Sequence, residues 1–312
     1  MDGDGPSCLP SEPGQHSETT MAASPAQADG GCLCLARPGL AVAWPDPDLW
    51  YALAEIVENP RPHPALAELF GKELSPELHT ELFVHDFQPY GCFYLSSGPV
   101  LGGEPTGRCR EFLATYLPGL EQPSLPDNLG FLLSLIGRAT EKGAHSVAEA
   151  ILHEQLAPWV PLYTAGVINY GGSAYRAWAE SLHQAIEDAA NSMPAITKLP
   201  LQLAFAPDAH ELAERKALEE FALSPVLSGL LLPRSLILQI AGALETPIRF
   251  GGRKFSFSSL IDQAPRETVE KLVALLADQA SWGQISGLGL VGKWWSARRR
   301  RAEQLLLGVL EQ

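Results

Sequence analysis

Long apolar runs, basic charge and paired cysteines are all scarce in this 312-residue chain. No apolar run approaches the roughly 18 residues a membrane-crossing helix needs, because Arg, Pro or Gly breaks each candidate. Only 22 Lys and Arg stand against 36 Asp and Glu, a formal net charge of -14, so the broad cationic surface of a general nucleic-acid binder is missing. Five cysteines is an odd number; Cys8, Cys32 and Cys34 sit in a polar N-terminal stretch and Cys92 and Cys109 beyond it, which predicts reduced thiols rather than a disulfide framework. The start, Met1-Asp2-Gly3-Asp4, has neither the basic residues nor the apolar stretch of a secretory signal, so the expectation is a cytoplasmic protein.

Motifs for catalysis are also missing. His153-Glu154 lacks the second His of a zinc-protease helix, since Ala157 stands at that position. There is no Gly-x-Ser-x-Gly elbow, and Gly102-Gly103-Glu104 is not followed by the Gly-Lys-Ser/Thr of a phosphate loop. Cys32-x-Cys34 has no neighbouring His or second Cys pair to complete the four ligands of structural zinc. His85-Asp86 reads as surface capping at a helix end rather than an acid–base pair. No enzyme activity, metal or cofactor is expected.

What is present is a punctuated helical pattern. Apolar types make up 46% of residues, enough for one large or two smaller cores, and 28 Gly with 26 Pro divide them into short elements. Residues 1–46, rich in Gly, Pro, Ser, Ala and acids without hydrophobic period, predict a disordered tail. From Asp46-Pro47-Asp48 a capped helix begins, carrying Leu49, Tyr51, Leu53, Ile56 and Val57 at helical spacing. Helices are predicted over about 64–71 and 75–84, the second capped by Ser75, then an irregular aromatic stretch from Gln88 to Thr106. A helix over about 108–117 precedes a strongly apolar one capped by Pro126-Asp127, and two more cover about 145–156 and 173–191, with Ser173 as cap.

Residues 47–192 therefore predict an all-helical domain, and 193–285 a smaller helical extension. The extension has helices over about 208–222, from Pro233 to about 244, 258–263 and 266–280. Between them, Pro247 to Phe257 reads as a short β-hairpin turning at Gly251-Gly252. Residues 286–312 form a basic amphipathic tail. Lys293 and Arg298 to Arg301 against Glu303 and Glu311 leave residues 293–312 at +3, so the rest carries -17. Lys293-Trp294-Trp295 and Arg298, Arg299, Arg300 and Arg301, with leucines behind, fit either a helix touching anionic lipid or an acidic partner, or one packed on the acidic body with its arginines solvated.

One ordered set of segments is more specific. Phe87-Gln88-Pro89-Tyr90-Gly91-Cys92-Phe93-Tyr94-Leu95, the loop ending Leu101-Gly102-Gly103-Glu104, Leu125-Pro126-Asp127-Asn128-Leu129 and Leu156-Ala157-Pro158-Trp159 resemble the TorD/DmsD (NarJ-like) family of molybdoenzyme maturation chaperones. Ser224-Pro225-Val226-Leu227-Ser228-Gly229 through Trp282 resembles a C-terminal extension of some members. Cys92 stands where the family usually has Ser, and Asn128 where it has His; Asn can hydrogen-bond but cannot become cationic.

The resemblance implies an all-α, TorD-like helical bundle. It also implies a non-enzymatic cytoplasmic chaperone that binds the apo form or twin-arginine leader of a molybdopterin oxidoreductase before export. An apolar leader wants an aromatic groove and its arginines want acids. Tyr90, Phe93 and Tyr94 from one segment, with Pro126, Asp127, Asn128 and Phe131 from the other, are the expected peptide-binding walls. The competing structural roles are core packing for the tyrosines and an N-cap for Asp127.

Overall fold

Proline marks many of the helix starts, and a short polar side chain caps a few of them. The computed structural model describes residues 44–70, 74–98, 100–194, 197–209, 212, 214–248, 251–282 and 284–311. The predicted tail, with Cys8, Cys32 and Cys34, lies outside these residues except at Trp44 to Asp46, where Trp44 is already half-buried. Helix α1 spans Pro47–Glu58, with Asp46 accepting from the Asp48 N–H at 2.9 Å. Trp50, Leu53, Ala54, Ile56 and Val57 form its buried face. Helices α2 (Pro64–Phe70) and α3 (Pro76–Thr80) come next, the latter capped by Ser75, whose hydroxyl accepts from the Leu78 N–H at 3.3 Å.

Helix α3 runs into a π-helical segment, Glu81–Asp86, closed by a 2.6 Å bond from Phe87 N–H to Leu82 O. Short helix α4 (Cys92–Leu95) interrupts the stretch read as irregular, and α5 (Glu104–Tyr116) starts about one turn earlier than predicted. The apolar helix is α6, Leu129–Glu141; it packs on α1 as the central layer, with Leu132, Leu133 and Ile136 almost fully buried. Helix α7 (His145–Ile151) passes into a second π-helical segment, Leu152–Leu156, then come α8 (Val160–Tyr170) and α9 (Arg176–Ser192). Ser173 does not cap α9, whose N-cap is Tyr175 without a side-chain hydrogen bond. Helix α8 had no counterpart in the sequence reading: it is apolar on nearly every side and so shows no amphipathic period.

The remaining helices are α10 (Leu201–Ala204), α11 (Arg215–Leu223), α12 (Pro225–Ser228), α13 (Arg234–Ala243), α14 (Arg253–Gln263), α15 (Pro265–Asp278) and α16 (Gly289–Leu310). The architecture is all-α; the β pairing among the described residues is one isolated bridge, Tyr90 to Asn128. The expected hairpin over Pro247 to Phe257 is not formed. Arg249 and Phe250 lie outside the described residues, and from Arg253 the chain is helix α14. The alternation that suggested a strand misled because Phe255 is 48% exposed while Phe257 is buried, whereas a strand would put both on one face.

Two hydrophobic clusters share the residues from Ala41 onward, which form one compact unit. The first gathers α1, α6, α8 and α9; the second gathers α11 to α15. Helix α16 belongs to both, giving Val291 and Trp295 to the first and Ala302 and Leu306 to the second. The Trp295 indole donates to Pro158 O at 3.0 Å. No helix among the described residues is long and apolar enough to cross a membrane.

The arginine run divides around this helix. Arg299 points inward, 4% exposed, donating to Gly229 O at 3.2 Å, to Ala280 O at 3.3 Å and to Trp282 O. Burial pushes its pKa down to about 10. Gly229 holds φ +73° and a Cβ there would lie 2.6 Å from Arg299 Cγ, so only glycine serves both the turn and the contact. Arg298 pairs with Asp208 at 3.2 Å and lies over the Trp294 ring, and Arg300 and Arg301 are exposed. Arg298 and Arg299 are thus engaged with the protein rather than presented for lipid.

Removing Arg299 leaves buried carbonyls without donors. Arg299→Met should cost about 2–4 kcal/mol in urea unfolding, against about 0.5 or less for the exposed control Arg301→Ala. Equal midpoints for the two variants would show that the inward guanidinium holds nothing.

Candidate functional site

The two segments expected to form a site are sewn together by backbone. Gly91 N–H donates to Asp127 O at 3.0 Å and Leu129 N–H to Pro89 O at 2.8 Å, on either side of the Tyr90–Asn128 bridge. The buried Asp127 carboxylate accepts from Cys92 N–H at 2.8 Å and from the Thr106 hydroxyl at 3.0 Å. It therefore ties the start of α4, the first turn of α5 and the lead-in to α6. Asp127 is not the cap of α6; that place belongs to Asn128, whose Oδ1 accepts from Phe131 N–H at 3.0 Å.

These contacts frame an open groove of about 710 Å³. From one stitched segment Gln88, Pro89, Tyr90 and Phe93 line it, and from the other Ser124, Leu125, Asn128 and Phe131. Val57 and Glu58 from α1, His79 from α3, Phe83 and Val84 from the first π-helical segment, and Leu101 also line it. Val84 and Leu101 are more than half exposed. His79 and Phe83 are four residues apart and share a face as in any helix, and the wider π-helical turn lets Val84, five residues on, join them.

Four of the seven expected site residues, Tyr90, Phe93, Asn128 and Phe131, line the groove and are half-buried. Tyr94, Pro126 and Asp127 are not in it and are buried behind it. Tyr94 stacks on Trp159 at 5.0 Å, its hydroxyl donates to Gln88 O at 3.0 Å, and burial raises its pKa. Cys92 is buried too; burial and then the Asp127 charge push its thiol up to about 12, so it is an inert packing group.

Glu58, His79, Phe83, Val84 and Leu101 were missed by sequence reasoning. They are distant in the chain, and nothing local distinguishes them from ordinary helix-end and loop residues. Glu58 lies across Gly130, where a Cβ would come within 2.5 Å of its Cγ. Its carboxylate makes no hydrogen bond or ion pair among the described residues, and partial burial, then Glu55, raises its pKa against the opposing charge of Arg138. The groove thus combines apolar walls with one carboxylate that has no ion-pair partner among the described residues.

Other pairs singled out from the sequence have structural roles. Asp86 is buried and accepts from the Ser235 N–H at 2.9 Å, so it serves the first turn of α13 rather than a surface cap. His153 Nδ1 sits 2.9 Å from Glu154, whose other oxygen accepts from Leu201 N–H at 2.7 Å. Among the described residues, no three His, Cys, Asp or Glu side chains gather in a way that could hold a metal ion. The chain matches no protein-family model and no curated protein sequence.

Asp127→Asn keeps the shape but turns an N–H donor toward the Cys92 N–H or the Thr106 hydroxyl. A loss of about 1–3 kcal/mol in urea unfolding is expected, and unchanged stability would refute the tie. His79 gives a pH signature. Its Nε2 is 3.0 Å from Val57 O, and burial outweighs that bond to hold its pKa below the ordinary imidazole value. The folded state then binds fewer protons than the unfolded one, so stability is complete above about pH 6.5 and is lost as pH falls through the lowered value. His79→Gln should shrink, without abolishing, the drop in urea midpoint between about pH 7.5 and about pH 5.5. A remainder is expected because burial lowers the pKa of His183 in the same direction.

Proposed function

We propose that this protein is a non-enzymatic molecular chaperone of the TorD/DmsD kind. Its groove takes an arginine-bearing apolar segment, the leader or another exposed segment of a molybdopterin oxidoreductase, before that enzyme receives its cofactor and is exported. The observation that carries the reading is the apolar groove lined by the stitched Gln88–Phe93 and Ser124–Phe131 segments, with the Glu58 carboxylate, which has no ion-pair partner among the described residues, in its lining. Apolar side chains of a bound segment gain by leaving water against Phe93, Phe131, Val84 and Leu101. A guanidinium beside Glu58 offsets the partial desolvation that raises its pKa more fully than Arg138 alone does, and a charge-assisted bond favours a cationic ligand over a neutral donor. Client arginines approaching a chain of net charge -14 are drawn in by the same field.

The test uses the full chain and a labelled synthetic peptide with twin arginines followed by an apolar stretch, read by fluorescence anisotropy. Saturable binding is expected, weakened about tenfold by Glu58→Gln and by Phe131→Ala, each worth ~1.4 kcal/mol. Replacing the peptide arginines by alanine should cost as much in the native protein and nothing further in Glu58→Gln. Absence of peptide binding, or equal affinity with and without the peptide arginines, overturns the reading.

A further inference from the structure

A second concavity, sharing no residue with the groove, lies along α16 where it emerges from the 3-10 turn Ser286–Leu288. It measures about 430 Å³ and carries two cations, Lys293 and Arg300, and no acidic side chain. On a chain of net charge -14 this concavity is locally cationic. Lys293 and Arg300 are seven residues apart, two helical turns or about 10 Å along one face, so both heads reach the same space.

Neither cation is used by the fold. Arg298 has Asp208 and the Trp294 ring, and Arg299 has three carbonyls. Lys293 and Arg300 are exposed and have no ion-pair partner among the described residues. Ser286, Gln284 and Ser296 add neutral polar groups, while Ile285 is the one large apolar side chain on the wall. Gly289 also lines the space, and a Cβ there would meet nothing within 4 Å.

We infer that this concavity binds the phosphate group of a small polar molecule. A phosphomonoester dianion balances both cations, and its three terminal oxygens accept from a guanidinium fork, an ammonium and a hydroxyl together. A carboxylate carries half that charge and fewer acceptor sites. The polar side chains Gln284, Ser286 and Ser296 beside the cations suit a polar organic part, and the volume fits a small molecule. A soluble phosphate ester and a lipid phosphate headgroup share this chemistry, and the site is independent of the client groove.

Calorimetric titration of the full chain with inorganic pyrophosphate, and flotation with phosphatidylcholine vesicles containing phosphatidic acid, separate the two sources. At least one probe should bind, and its affinity should fall about tenfold or more in the Lys293→Ala, Arg300→Ala double variant. Gly289→Leu, which fills the space without changing charge, should weaken binding by a similar factor. Arg301→Ala, which removes an equal charge outside the concavity, should leave it unchanged. Pyrophosphate binding with this pattern assigns a soluble ligand, and vesicle binding alone with this pattern assigns a headgroup. No binding of either probe, or an equal loss in Arg301→Ala, overturns the inference.

Discussion

Two hydrogen bonds converge on the buried carboxylate of Asp127, one from the backbone of a four-residue helix and one from a threonine in the first turn of α5. The adjoining backbone bonds, Gly91 to Asp127 and Leu129 to Pro89, lock segments that are more than thirty residues apart in sequence. Helix α4 is too short to hold its own position, and the orphan N–H at its start has few partners besides this side chain. The groove walls are therefore placed by a polar tie beneath them rather than by their own packing. Tyr94 and Trp159, stacked behind the tie, make its surroundings dry, which strengthens the charge-assisted bonds.

Helix α16 performs the corresponding role for the two cores. One helix contributes aromatic and aliphatic residues to the first cluster and then to the second, so neither cluster is complete without it. The cost is a buried guanidinium without a carboxylate partner, and three carbonyls from two loops, Gly229 in one and Ala280 and Trp282 in the other, offset it. Gln279 repeats the device between the same regions: its amide donates to Leu231 O at 3.0 Å and accepts from Leu231 N–H at 2.8 Å. Both loops around α16 are thus held by side chains that imitate a backbone ladder.

Helix starts marked by a polar cap and a proline were legible: Asp46-Pro47 and Ser75-Pro76 begin helices as read, and Pro233 and Pro265 lie within a residue of the expected starts of α13 and α15. Those signals are local, because capping and proline geometry act within one turn. Errors fell where the signal was shared between structures. Asp127 and Asn128 both have capping side chains, and only the partners reaching Asp127 from elsewhere decide which one caps α6. Glycine pairs suit a tight turn or the end of a loop, and at Gly251-Gly252 the helical burial of Phe257, Leu260 and Ile261 decides for the loop. Four groove residues were legible because they flank segments with unusual aromatic and Pro-Asp composition, whereas Glu58 and Val84 carry no such mark.

The helical class, the acidic body with its cationic end and the main capped elements come from residue order alone, since propensity, capping and net charge are local or additive properties. Which tyrosine faces solvent, which of four consecutive arginines turns inward and which carboxylate remains unpaired are decided only by tertiary packing. Successive helical residues point about 100° apart. Arg298 to Arg301 are therefore chemically alike in sequence and separate into paired, buried and exposed roles only when α16 meets the carbonyls of Gly229, Ala280 and Trp282.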